Sequence, residues 1–532
     1  ILGRLACVEI NDNYGNKPIA SLKNIFRAWM PQTAANHDQR LKTLMLLLEK
    51  FPVVGWKICI DQFGHYGGRA GDYSHKPKWR PDGYGFGEPL KSMEPIYAFV
   101  REMVEVSLTR PTYTADMLCD LVDRLYGLID MDQERVWKLI EAWKGSASDP
   151  DIAKVRGKIR ASVLSRRGRR RATDDSFVAL IKTANAVYAA MEPTDLANKH
   201  EWLFRQPWIE ETADELDDEL DFHKREERVE RLRVAALKEV FAEQGIHGIF
   251  ALAGQGRAQS QIGWHLIRSV LSGDEKTKLI VEALQPGSNG LSPERKNLIC
   301  GALRAMTVED RTAFFSTVRS LLSEGDMLRL LLLSPFNSGT WAIVDTLSEV
   351  GRQGYWQDVN PEWILEPAGE NNEAVERMLK AERPCAAFAA VGVNLETISP
   401  ALLYRMLSGI AMGRNDKSDE YQLQEYDIKT AFSLLDRNAD LTLEEKAGLE
   451  FAYIEVLSRA FGNETRQIPN LERYVETHPE MYVQALVWAY RRDDGQEDPA
   501  KFRPPKGRKY LPTRGSHPLE SIQRIPGQDT TD

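Results

Sequence analysis

Four side chains around one glycine-rich stretch, Asp61, His65, Asp72 and His75, combine carboxylate oxygens with imidazole nitrogens, the donor types that hold a divalent metal. A metal there would serve an enzyme by polarising a carbonyl or activating a water. The spacing fits no helical His-x-x-x-His pair, so a loop would have to gather the ligands. A loop whose polar side chains satisfy its own backbone explains the same residues, and neither a metal nor another cofactor is expected.

Asp436-Arg437-Asn438-Ala439-Asp440 opens like a calcium loop. Its sixth position, which needs glycine for a sharp turn, is Leu441, and its twelfth, which needs a bidentate glutamate, is Ala447. The string reads instead as a helix end, a turn and a new helix start at Thr442. Gly254-Gln255-Gly256-Arg257-Ala258-Gln259 imitates a dinucleotide fingerprint but lacks the third glycine and a preceding strand. No G-x-x-x-x-G-K-[ST] loop occurs, and no residue is assigned a catalytic role.

Phosphate chemistry has one candidate. The run from Lys154 to Arg171 ends in Arg166, Arg167, Arg169, Arg170 and Arg171, a dense field that could grip nucleic-acid phosphates. The chain as a whole carries a formal charge of −9 and a pI near 5.7, which excludes nucleic-acid binding through overall charge. Ion pairs with the acidic stretch Glu210 to Asp221 are the competing use of these arginines.

Partner recognition has its own candidates. Between residues 64 and 89, glycines alternate with Tyr66, Tyr73, Trp79, Tyr84 and Phe86, a length and composition expected of an ordered functional loop and of a protein-binding surface. Trp202, Phe204 and Trp208 form a second aromatic knot, for which anchoring in a core is the favoured reading.

The elements that position these residues read as helices. Leu41, Leu44, Met45 and Leu48 fall on one face of a helix over 33–51, Pro52 punctuates, and the segment from Gly55 to Ile60 folds back as its hairpin partner. Further helices are expected over 21–29, 94–109, 114–128, 132–143 and 174–191. A long charged helix starts near Glu210 and ends near Gln244, about 35 residues or roughly 50 Å. Its apolar stripe is Leu216, Leu220, Val229, Leu232, Ala236 and Val240, and Glu227 with Arg231 is set for an i,i+4 pair. Beyond it, Ser292-Pro293, Ser399-Pro400 and Thr442-Leu443-Glu444-Glu445 mark helix starts.

No β-alternation is long enough for a sheet, so the expected class is all-α, an irregular α-solenoid of helical hairpins (HEAT/TPR-like) around one long central helix. The expected divisions are an N-terminal array over 1–150, a basic segment and helix over 151–199, the aromatic knot and long helix over 200–245, a second array over 246–492, and a polar tail over 493–532. At 532 residues the chain exceeds the about 250–300 that one core supports. Cys7, Cys59, Cys119, Cys300 and Cys385 stand apart without a Cys-x-x-Cys pair, which predicts a reducing cytoplasm. No apolar run reaches the roughly 18 residues of a membrane span, so no membrane role is expected.

Several strings together carry a likeness: Ile25-Phe26-Arg27-Ala28-Trp29-Met30-Pro31-Gln32-Thr33, Pro52-Val53-Val54-Gly55-Trp56, Pro77-Lys78-Trp79-Arg80, Trp202-Leu203-Phe204 and Tyr355-Trp356-Gln357-Asp358-Val359-Asn360-Pro361. Ile468-Pro469-Asn470-Leu471-Glu472-Arg473 and Asp493-Asp494-Gly495-Gln496-Glu497-Asp498-Pro499 extend it through the C-terminal part. The chain resembles the C-terminal helical region of a family of large bacterial proteins, and is similar in this to STAND-type antiphage defence proteins. The resemblance implies a non-enzymatic scaffold or sensor that recognises a protein such as a viral component, with any effector or NTPase module elsewhere in a longer polypeptide. It carries no catalytic residue. A nucleic-acid-binding scaffold using Arg166 to Arg171, and an enzyme with a site between Asp61 and His75, are the alternatives.

Overall fold

The computed structural model describes residues 1–11, 15, 17–28, 33–63, 92–165, 175–209, 222–285, 290–361, 368–413, 421, 423–457 and 468–483. Every regular element among them is helical, as the absence of β-alternation predicts. The chain divides into two compact units, Ile1–Val270 and Leu271–Asp532.

The first unit contains α1 (Leu2–Leu5), α2 (Pro18–Ile25), α3 (His37–Lys50), α4 (Pro52–Asp61), α5 (Glu94–Leu108) and α6 (Ala115–Asp123). It continues with α7 (Asp130–Lys144), α8 (Asp149–Ser162), α9 (Asp175–Ala190), α10 (Leu196–His200), α11 (Phe222–Ala253) and α12 (Gln259–His265), then one π-helical turn, Leu266–Val270. The expected hairpin is α3 packed on α4, separated by Phe51 alone, with a capping box of Asn36 and Gln39 at its start. Phe99, Met103, Leu118, Leu121, Val136 and Ile140 lie in one continuous core that runs from Leu22 to Met191. Burying a side chain of this size stabilises by about 1.5–3 kcal/mol relative to leaving it exposed.

In α11 the backbone leaves helical geometry at Gly245 (φ 60, ψ −152), where the sequence places the end of the long helix. That conformation is open to glycine and strained for any residue with a Cβ. Helix then resumes as far as Ala253, an extension the glycine does not announce. The helix's expected start near Glu210, with Leu216 and Leu220, lies outside the described residues. Val229, Ala236 and Val240 are buried as the stripe predicts. Glu227 and Arg231 depart from expectation, because Arg231 Nε donates to the Glu227 backbone carbonyl at 3.4 Å and not to its carboxylate.

The second unit contains α13 (Gly273–Leu284), α14 (Pro293–Ala305), α15 (Val308–Val318), α16 (Glu324–Leu332), α17 (Ser338–Val344), α18 (Glu349–Asp358) and α19 (Ala368–Lys380). It ends with α20 (Pro384–Val391), α21 (Pro400–Ala411), α22 (Glu425–Asp436), α23 (Leu443–Ala452), α24 (Ile454–Leu457) and α25 (Pro469–Thr477). Ser292, Thr307, Ser323, Asn337, Ser348 and Ser399 each accept an amide from the third residue beyond, and Thr442 with Glu445 closes a full capping box. Each such cap contributes about 1 kcal/mol. α13 packs on α14 and α19 on α20, while α15 meets α17 and α16 meets α18.

Buried guanidinium groups join the elements. Arg40 donates to the Arg27 carbonyl (2.7 Å), Arg311 to the Leu303 carbonyl (3.3 Å), and Arg383 to the carbonyls of Trp356 (2.9 Å) and Val359 (2.7 Å). These carbonyls sit where helices end and have no intrahelical donor, so a rigid fork of N–H groups meets a need the backbone creates.

Candidate functional site

Tyr66, Tyr73, Trp79, Tyr84 and Phe86 lie outside the described residues, as do His65, Asp72 and His75, and Arg166, Arg167, Arg169, Arg170 and Arg171. Asp61 is described: it ends α4, and its carboxylate accepts from Lys23 Nζ at 2.6 Å. Among the described residues no three His, Cys, Asp or Glu side chains converge as a metal site. Cys59 and Cys119 carry no sign of a nucleophile either. Burial pushes Cys59 up to about 12 and Cys119 up to about 11, the wrong direction for a reactive thiolate.

The described half of the basic run is committed to packing. Arg156 donates to the Tyr188 carbonyl at 3.1 Å and stacks 4.2 Å from its ring. Lys158 pairs with Asp123 at 2.6 Å, and buried Arg160 lies 3.2 Å from the centre of the Trp202 ring. The acidic partner stretch, 210–221, lies outside the described residues.

The two discarded motifs have structural explanations. Around the false calcium loop, Asp436 ends α22 and Thr442 caps α23, and Lys446 Nζ donates to the carbonyls of Asn438 (2.5 Å) and Asp436 (3.4 Å). In the false dinucleotide string, a Cβ on Gly256 would sit 2.7 Å from the Phe204 carbonyl carbon and 2.8 Å from Arg205 Cα. The glycine serves close passage of two backbones, joined by Arg257 N to Arg205 O (3.0 Å) and Ala258 N to Phe204 O (3.1 Å).

These contacts build a joint around the aromatic knot. Arg233, 5% exposed on the buried face of α11, donates to the carbonyls of Leu203 and Pro207, both at 2.9 Å. Burial pushes its guanidinium down to about 10. Glu239, two turns on, accepts from Lys199 Nζ and meets His200 Nε2, each at 2.8 Å. Burial lowers the His200 pKa more than Glu239 raises it. Phe204 is fully buried, as core anchoring predicts, but Trp208 is 56% exposed, with Arg225 stacked 3.8 Å from its ring. The anchoring expectation therefore fails for Trp208, because a cation covers one face of the indole without removing it from solvent.

The outward side of α11 is different. A groove of about 640 Å³ is lined by Val234 and Ala235 together with Glu227, Glu230, Arg231, Lys238 and Ser269. Small apolar side chains among side chains of both charges are a composition that suits a protein-binding patch. No helix among the described residues is long and apolar enough to cross a membrane. Comparison with known proteins found no matching family model, no curated relative and no solved structure.

Proposed function

We propose that the chain is a non-enzymatic helical scaffold or sensor region of a large cytoplasmic bacterial protein in antiphage defence, and that it recognises a protein partner. The observation that carries this reading is the α11 groove, whose small apolar and mixed-charge side chains lie on the outward side of a helix pinned from behind by Arg233. The packing of helices in the second unit on neighbours one and two along supports an irregular α-solenoid, a form that offers extended surfaces to other proteins. The resemblance described from the sequence supports the defence role. Partner contact would bias an attached module only by differing in affinity for two packing states of the array.

The test is a phage challenge of bacteria carrying the intact gene or its Ala235→Arg variant. Ala235 is exposed, so the substitution blocks the groove without disturbing a core. Protection by the wild type, its loss in the variant and an unchanged unfolding transition are expected. Equal protection by the variant removes α11 from recognition, and absence of protection against every phage removes the defence role.

A further inference from the structure

The second unit carries a larger groove of about 760 Å³ in the valley between α18 and α19. Its charged lining is Glu349 and Arg352 from α18, Glu373, Glu376, Arg377 and Lys380 from α19, and Glu382 just beyond, with Trp356 among them. Each cation is already neutralised within its own helix: Arg352 by Glu349, Arg377 by Glu373 at 2.7 Å, and Lys380 by Glu376 at 3.5 Å. Asp345 adds a second carboxylate to Arg377 through a fork at 2.9 and 3.0 Å. Acid is therefore in excess, and Glu382 alone in this lining has no ion pair with a described residue.

Glu382 is also the one non-glycine residue with positive φ (58°) among the described residues. It occupies the left-handed position that closes α19, with Glu382 N bonded to Leu379 O (3.1 Å) and Arg383 N to Met378 O (3.0 Å). Glycine is the usual occupant of that position, so glutamate holds it at a steric cost. The end of the groove is fixed from two sides. Gln357 Nε2 donates to the Ala381 carbonyl at 3.0 Å, and Arg383 ties the last turn of α18 through the Trp356 and Val359 carbonyls. The Trp356 ring already has Arg377 5.4 Å from its centre, so the open acceptor here is the carboxylate at the negative end of the α19 dipole, fixed before any cation arrives.

We propose that this valley is a docking groove for a basic peptide segment of a protein partner, which seats an arginine or lysine against Glu382. The proposal stands independently of the defence role, because binding is measured directly. The test is fluorescence anisotropy of the purified chain with labelled tri-arginine, tri-glutamate and tri-glycine peptides. Tri-arginine should bind and the other two should not. Glu382→Lys and Glu382→Gly should each weaken binding at least tenfold, the glycine variant doing so while relieving the backbone, so that misfolding is not the cause. Glu309→Lys, the same charge change on α15, should leave binding unchanged. Absence of tri-arginine binding, equal binding of tri-glutamate, or losses no larger for the Glu382 variants than for Glu309→Lys would overturn the proposal.

Discussion

Replacing Arg233 by methionine tests whether the joint between the aromatic knot and α11 is held by one guanidinium. The side chain gives two charge-assisted bonds to the Leu203 and Pro207 carbonyls, at about 1.5–3 kcal/mol each. Against this stands the cost of burying the charge. The fall in its pKa from 12.5 to about 10 corresponds to about 3.5 kcal/mol at about 1.4 kcal/mol per pH unit. Methionine loses the bonds and removes that cost, leaving a net loss of about 2 kcal/mol once two carbonyls go without donors. Lysine at the same place keeps a buried charge but cannot span both carbonyls, so Arg233→Lys should lose at least as much as Arg233→Met. Urea unfolding followed by tryptophan fluorescence reads the loss, and amide exchange over 196–209 and 222–244 locates it. A change below about 0.5 kcal/mol in the methionine variant, or a lysine variant as stable as wild type, would refute the fork as the fastening.

Gly256→Ala should destabilise the same joint by about 3 kcal/mol or more, because the added carbon meets backbone atoms of Phe204 and Arg205 that have nowhere to move; a calorimetric midpoint within a degree of wild type would contradict this. His200 has a folded-state pKa below its ordinary value, so protons favour the unfolded chain. Its contribution is full above about pH 6.5, falls as pH drops through that value and levels off below the folded pKa; urea midpoints at pH 7.5 and 5.5 should differ less in His200→Asn than in wild type. Asp132 behaves oppositely in origin: burial raises its pKa, but Arg101 and Arg135 outweigh that and hold the carboxylate low. Its stabilisation is complete above about pH 3.9 and is lost as pH falls through the folded pKa. Asp132→Asn should cost about 1–3 kcal/mol at pH 7 and much less at acid pH, with equal losses at both as the contrary result.

Signals that act within one helical turn were legible. Ser292, Ser399 and Thr442 cap the helices their sequence positions announce, and Pro52 divides the α3–α4 hairpin. Signals that depend on distant backbone were not. Arg233 looks like one more charge on a solvated helix until the Leu203 and Pro207 carbonyls, 30 and 26 residues away, are brought to it. Trp208 reads as core because its neighbours do, and only the position of Arg225 shows how it remains half in water. The glycine of a false nucleotide motif gave a real constraint with the wrong partner, since close approach to phosphate and close approach to a peptide make the same demand for a missing side chain. Glu382 carried no signal, because left-handed backbone at a glutamate contradicts the residue's own preference.

The turn between α22 and α23 bears on how the protein meets a change in its ionic surroundings. A site filled by a dissolved ion gains or loses order as the ion's concentration moves, with stability following the logarithm of that concentration. Here the cation is the ammonium of Lys446, tethered to the chain and supplied one per turn. Its local concentration is set by the covalent backbone, so the bonds that hold this corner do not follow the calcium concentration around it.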